Sequence, residues 1–229
     1  MSTGHTLAIV LAIVACRKIL CKYIDMEIIF SLAILIMSIV IHEISHGYAA
    51  GLLGDPTAKY QGRLTLNPIK HMDPVGSVLV PLVTSLAGVT FGWAKPVPYN
   101  PYNFKNQRWG ELIVAIAGPL SNILIALVFG FILRFGLSTF PESFLRFSIL
   151  VILVNLGLAI FNLIPIPPLD GSKVLYAFMP FRFYRFREIL ERYAFIVLLI
   201  LIITPGFTSF ISVIVARLFG IITGIPLGM

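Results

Sequence analysis

The stretch whose reading decides the fold is Ile41-His42-Glu43-Ile44-Ser45-His46, preceded by the uncharged run Ile28–Val40 (Ile-Ile-Phe-Ser-Leu-Ala-Ile-Leu-Ile-Met-Ser-Ile-Val). On a helix, His42 and His46 stack on one face. Two neutral imidazoles at that spacing can bind one Zn²⁺, with Glu43 between them as general base on a metal-bound water. The motif alone is short enough to arise by chance. Its setting gives it weight, because charged groups inside a membrane segment cost roughly 2.5–3.5 kcal/mol each on insertion scales and are functional by default. The expectation is a metalloprotease motif inside a membrane helix.

Composition agrees. The 229 residues are 58% hydrophobic and 12% charged, with a mean hydropathy of +0.96. A soluble domain is about half apolar and about a quarter charged. The chain therefore reads as an all-α polytopic membrane protein, with about five to six transmembrane helices of ~20 residues and no room for a sizeable soluble domain. A short β or re-entrant segment is expected near the site. The net charge of +7 marks cytoplasmic loops rather than a nucleic-acid partner. Cys16 and Cys21, beside Arg17 and Lys18, form neither a disulfide framework nor a metal knuckle.

Three blocks organise the chain: residues 1–27, a metalloprotease core over 28–178, and a basic loop with C-terminal membrane helices over 179–229. Residues 1–27 read as a short first helix, an interfacial segment, or an extension before a start at Met26. Strong spans are expected at 28–51, 111–137 and 149–164, with a loop over 138–148. Residues 59–66 alternate as a short strand does, and His71 and Asp73 follow as extra ligands or as parts of a solvated loop, the latter favoured by Asp73-Pro74. Residues 77–92 are apolar but interrupted by Pro81 and Gly88. Residues 93–110 are rich in Pro, Asn and aromatics and favour an extended interfacial strip, which can pair with an unwound substrate. Residues 180–192 read as a basic loop, and 193–204 and 207–225 as apolar helices split by Pro205-Gly206.

The third metal ligand is expected at the end of the 149–164 span. There Pro165, Pro167 and Pro168 unwind the chain at membrane depth, a break tolerated only in a protein interior or a wet cavity. Asp170 stands just beyond it, ahead of another helical stretch expected from about Ser172 to Phe178. Two His and one carboxylate leave the fourth zinc position open, as a catalytic site requires. Asn162 and Asn122 are weaker candidates for binding the substrate backbone or the oxyanion. For His42 and His46 to meet Asp170, 77–92 must not cross the membrane. The basic loops then all fall on the cytoplasmic side with the site.

These motifs resemble the site-2 protease family of intramembrane zinc metalloproteases. The resemblance rests on His42-Glu43-Ile44-Ser45-His46 paired with Asn162-Leu-Ile-Pro165 and Leu169-Asp170-Gly171. Gly54-Asp55-Pro56, Gly62-Arg63-Leu64, Asn67-Pro68 and the run Gly92–Pro98 resemble its compact prokaryotic branch, without a PDZ or CBS domain. The resemblance implies one Zn²⁺ per chain on His42, His46 and Asp170, catalysis by Glu43, and a transmembrane protein as substrate, in a prokaryotic cell membrane. The rival from another class is a transporter or metal channel using the same cluster; paired broken helices would favour it, and none repeat here.

Overall fold

The computed structural model describes residues 26–79, 82, 94–136 and 139–226. Among them, the longer helices are α1 (Met26–Leu52), α2 (Gln107–Gly136), α3 (Glu142–Asn162), α4 (Asp170–Phe178), α5 (Tyr184–Ile203) and α6 (Pro205–Thr223). Four are long and apolar enough to span a bilayer: 29–52 within α1, all of α2, all of α3, and 206–223 within α6. The chain is a multi-pass membrane protein, all-helical among the described residues. Apolar residues cover outward faces too, with Phe30, Leu32, Leu124, Val128 and Phe131 about half exposed. That pattern suits helices whose solvent is lipid.

Helices α1, α2 and α3 form the centre. Helix α2 passes through Pro119 without ending and packs on both α1 and α3. The core of its C-terminal half is Ala126, Leu133, Ile152, Leu156 and Phe219, the last from α6. Arg134 on α2 donates to the carbonyls of Ile221 and Ile222 and so caps the end of α6. At the opposite end Ala50, Phe104 and Val114 pack together. The end of α1 and the start of α2 therefore share one face. The chain between them makes a net return to that face, as the meeting of the imidazole pair with Asp170 requires.

The sequence expectations change in four places. No strand forms among the described residues. Over 59–66 the backbone closes on itself instead: Gly62 N–H and Arg63 N–H donate to the carbonyls of Lys59 and Ala58, and Gly62 turns the chain at φ +62°. The loop placed at 138–148 is shorter, because Pro141 starts α3 and Glu142 pairs with Arg146 one turn on at 2.6 Å. The basic stretch 180–192 is mostly helix, since α5 begins at Tyr184 and Arg187 pairs with Glu191 at 2.8 Å. Asp170 lies inside the first turn of α4 rather than ahead of it. The 1–27 segment and most of 77–92 fall outside the described residues; Pro74–Leu79 forms a wide helical turn.

Candidate metal centre

Helix α1 presents His42 and His46 on its inward face, both buried, with ring centroids 4.7 Å apart and planes at 86°. His46 is near the end of α1, so the pair lies about 9 to 15 Å below that end at 1.5 Å per residue. Helix α4 brings Asp170 to them across the fold. Asp170 Oδ2 lies 3.1 Å from His42 Nε2 and 3.2 Å from His46 Nε2.

Two neighbours fix this geometry. His46 Nδ1 is 2.7 Å from the Val114 carbonyl, so Nδ1 carries the proton and donates it. Nε2 then presents a lone pair to the lone pairs of Asp170. Acceptors facing each other repel unless a cation lies between them. Gly118, one turn after Val114, supplies the room: a Cβ there would stand 2.5 Å from His46 Nε2 and 2.6 Å from His42 Nε2. Helix α4 needs a similar approach, since a Cβ at Gly171 would meet the Leu163 and Ile164 carbonyl oxygens at 2.2 and 2.4 Å. The three candidate ligand atoms lie within 4.8 Å of one another. Ligands of a tetrahedral zinc sit about 3.3 Å apart, so the donor set fits a zinc ion.

Glu43, next to His42, meets the loop region. Its Oε2 accepts from Val97 N–H at 2.8 Å. Residues 94–100 form neither helix nor strand, and the extended strip expected over 93–110 ends sooner, since Pro101–Asn103 is a helical turn and α2 begins at Gln107; the strip bonds mostly to side chains. Buried Arg63 donates through Nη2 to the carbonyls of Lys95 at 2.7 Å and Pro96 at 3.2 Å, and Lys95 N–H donates to the His71 carbonyl. Val97 and Leu64 fill the space beside Gly47. Asp55 holds the far end of the strip through Asn100 N–H at 2.7 Å and the Asn103 amide at 2.6 Å.

The remaining candidates make no contact with the three residues among the bonds described. Asn122 is fully buried one turn beyond Gly118, and its Nδ2 has no partner among the described residues. Asn162 donates back to the Leu158 carbonyl of its own helix at 2.9 Å. His71 lies within hydrogen-bonding distance of the Thr65 carbonyl at 2.9 Å, and Asp73 accepts from Val75 N–H; both serve the loop. Val114, Gly118 and Val97 escape a reading of the sequence because they act through backbone atoms or through lack of bulk. Arg63 is visible there only as part of a loop motif.

A family profile described as peptidase family M50 matches residues 137–204, which include Asp170. The chain is 43% identical over 178 residues to a Bacillus subtilis protein named as zinc metalloprotease YwhC, covering 75% of this chain and 78% of that one. It is 29% identical over 177 residues to the Mycolicibacterium smegmatis protein named as zinc metalloprotease Rip2, covering 75% and 65%. A Methanocaldococcus jannaschii protein named as zinc metalloprotease MJ0611 is 51% identical over 63 residues, 27% of this chain and 31% of its own. No solved structure matches. With its imidazole pair and carboxylate brought together between membrane helices, and with these relatives, the chain belongs to peptidase family M50, the site-2 protease family of zinc metalloproteases.

Proposed function

We propose that the protein is an intramembrane endopeptidase that hydrolyses peptide bonds within or near transmembrane segments of other membrane proteins. The observation that carries this is the meeting of His42 and His46 with Asp170, 128 residues further along the chain than His42, at a depth set by membrane helices. His42, His46 and Asp170 would hold one Zn²⁺. Bound there, zinc supplies a Lewis acid that lowers the pKa of a coordinated water to about 7.

The rest falls to the chain's own groups. Glu43 takes a proton from the attacking water and gives it to the leaving amine. Val97 N–H anchors one oxygen of Glu43 and leaves the other for the proton. Val114 fixes the His46 tautomer. Asn122 supplies an unspent amide donor close to the site, and Asn162 would have to release the Leu158 carbonyl before it could bind substrate. A substrate helix shields its peptide bonds with its own hydrogen bonds and must unwind first. The 94–100 strip, in neither helix nor strand, offers the place for that. Lys59, Lys70, Lys95 and Lys105 lie in the segments joining α1 to α2, and that distribution supports a cytoplasmic site.

The test is Glu43→Gln in purified protein with a membrane-span substrate. Cleavage should fall by about 10²–10⁴-fold, the usual loss of a general base, with the zinc content of the parent retained. Cleavage at the parental rate, or a parent that holds no zinc, would end the proposal.

A further inference from the structure

Beside the site, two cavities adjoin and share Met179 and Pro180. The first, of about 530 Å³, is walled by the start of α2, the second half of α4 and the start of α5. Its cations are Lys105, Arg108, Lys173 and Arg187, against one lining carboxylate, Glu111. Glu191 pairs with Arg187 and reduces the excess, but the cavity stays positive. The second cavity, of about 370 Å³, is walled by Leu175, Phe178, Phe183 and Phe186 and has almost no polar surface.

Several contacts show the basic cavity is built rather than a random charge cluster. Arg108 Nε donates to the Ala177 carbonyl and ties α2 to the last turn of α4. Arg187 stacks over the Tyr176 ring at 4.6 Å, and Lys173 lies 5.1 Å from the Tyr99 ring centroid. The Tyr176 hydroxyl is buried with no partner among the described residues. The level is also marked: Trp109 meets Phe178 edge-on at 5.9 Å, and Trp109, Phe178 and Tyr184 are about half exposed. Such aromatics belong at the headgroup level of a bilayer.

We infer that the two cavities together seat one anionic glycerophospholipid, its phosphate among Lys105, Arg108, Lys173 and Arg187 and an acyl chain along Phe178, Phe183 and Phe186. A free phosphate would use only the basic half, and a neutral lipid would leave the cations unanswered. The seat bears on catalysis through α4, which carries Asp170 in its first turn and lines both cavities with Leu175 to Phe178. A lipid held there fixes the helix that positions Asp170.

The full-length protein, stripped of lipid in a neutral detergent, is titrated with short-chain phosphatidylglycerol, short-chain phosphatidylcholine and inorganic phosphate, with binding read by native mass spectrometry. Phosphatidylglycerol should bind more tightly than phosphatidylcholine, and Lys105→Gln and Arg187→Gln should each weaken it by about fivefold, the usual worth of one cation against an anionic lipid. Phe186→Ser should weaken phosphatidylglycerol as well. Arg146→Gln, at the other end of the bundle, should change nothing. Equal binding of the two lipids overturns the inference. Displacement of phosphatidylglycerol by equimolar phosphate assigns the cavity to a soluble phosphate and also overturns it. An equal loss from Arg146→Gln reduces the effect to general charge, and the lipid seat falls with it.

Discussion

The two ends of this bundle are held together by different physics. Toward the C-terminal end of α2, the core is apolar side chains interlocked: Leu133, Ile152, Leu156 and Phe219 are all almost fully buried. Toward its N-terminal end, the buried groups include the polar His42, His46, Asp55, Arg63, His71 and Asp170, most of them held by directional bonds. In lipid, apolar helices gain little from meeting one another except close packing. The far end therefore supplies a stiff frame, while the site end spends that rigidity on holding polar groups in fixed geometry. Asn155 joins the two, donating to Ser38 Oγ at 3.0 Å one turn before His42.

Changes at each end should separate the two roles. The largest effect is expected for Asp170→Ala. Zinc sites bind with on the order of 10 kcal/mol, so losing one ligand of three should weaken zinc by about 10³-fold, read as metal content after dialysis, with the thermal melt of the apo protein little changed. If the zinc content of Asp170→Ala matches the parent, the site end is not a metal centre. Phe219→Ala should do the reverse. It should cost about 3 kcal/mol, the lower part of the range for a core aromatic because lipid can refill part of the space, while the metal content of the folded fraction stays parental. Proportional loss of metal in Phe219→Ala would erase the distinction between the ends.

Gly118→Ala sharpens the comparison. Its Cβ would displace the imidazoles by a fraction of an ångström to an ångström, and a shift of that size costs about 10²-fold in rate. Cleavage assays alongside melting curves should show the rate loss without a comparable stability loss. A parental rate would mean that α2 yields there and that the frame is softer than described.

The smallest effect concerns the outer anchor of the strip. Burial would raise the Asp55 pKa, but hydrogen bonds from the Thr57 hydroxyl, Asn100 N–H, the Asn103 amide and Thr57 N–H more than offset it and lower it. A lowered folded-state pKa means its stabilisation is complete above the unfolded value of about 3.9 and is lost as pH falls through the folded value. Asp55→Ala should cost about 2 kcal/mol near neutrality and flatten the acid side of the stability profile. An unchanged acid limb would show that the strip is held without Asp55.

The sequence made the chemistry of the site legible better than its shape. His42, Glu43, His46 and Asp170 are rare residue types in an apolar chain, so their positions stood out, and the proline break located Asp170 near the end of a span. The three inner spans were visible because apolar runs of that length have few other uses. Other features depend on atoms that every residue carries. The Val114 carbonyl and Val97 N–H leave no mark in a sequence, and Gly118 reads as ordinary helix-packing until its neighbours are known. The alternation over 59–66 misled because strand pattern says nothing of where backbone groups will bond, and here they bond locally. The start of α5 was hidden because five basic residues from Lys173 to Arg192 read as a loop, although Arg187 and Glu191 at helical spacing carried the opposite signal.

The distance in sequence between His42 and Asp170 has a consequence for biosynthesis. A chain made from its N-terminus exposes the imidazole pair long before the carboxylate exists. Until α2 and α3 have been inserted and α4 has left the ribosome, the nascent chain carries an incomplete ligand set. Any fragment that ends before Asp170 lacks one of the three groups that meet at the cluster, so the candidate centre is assembled only once most of the chain has been made.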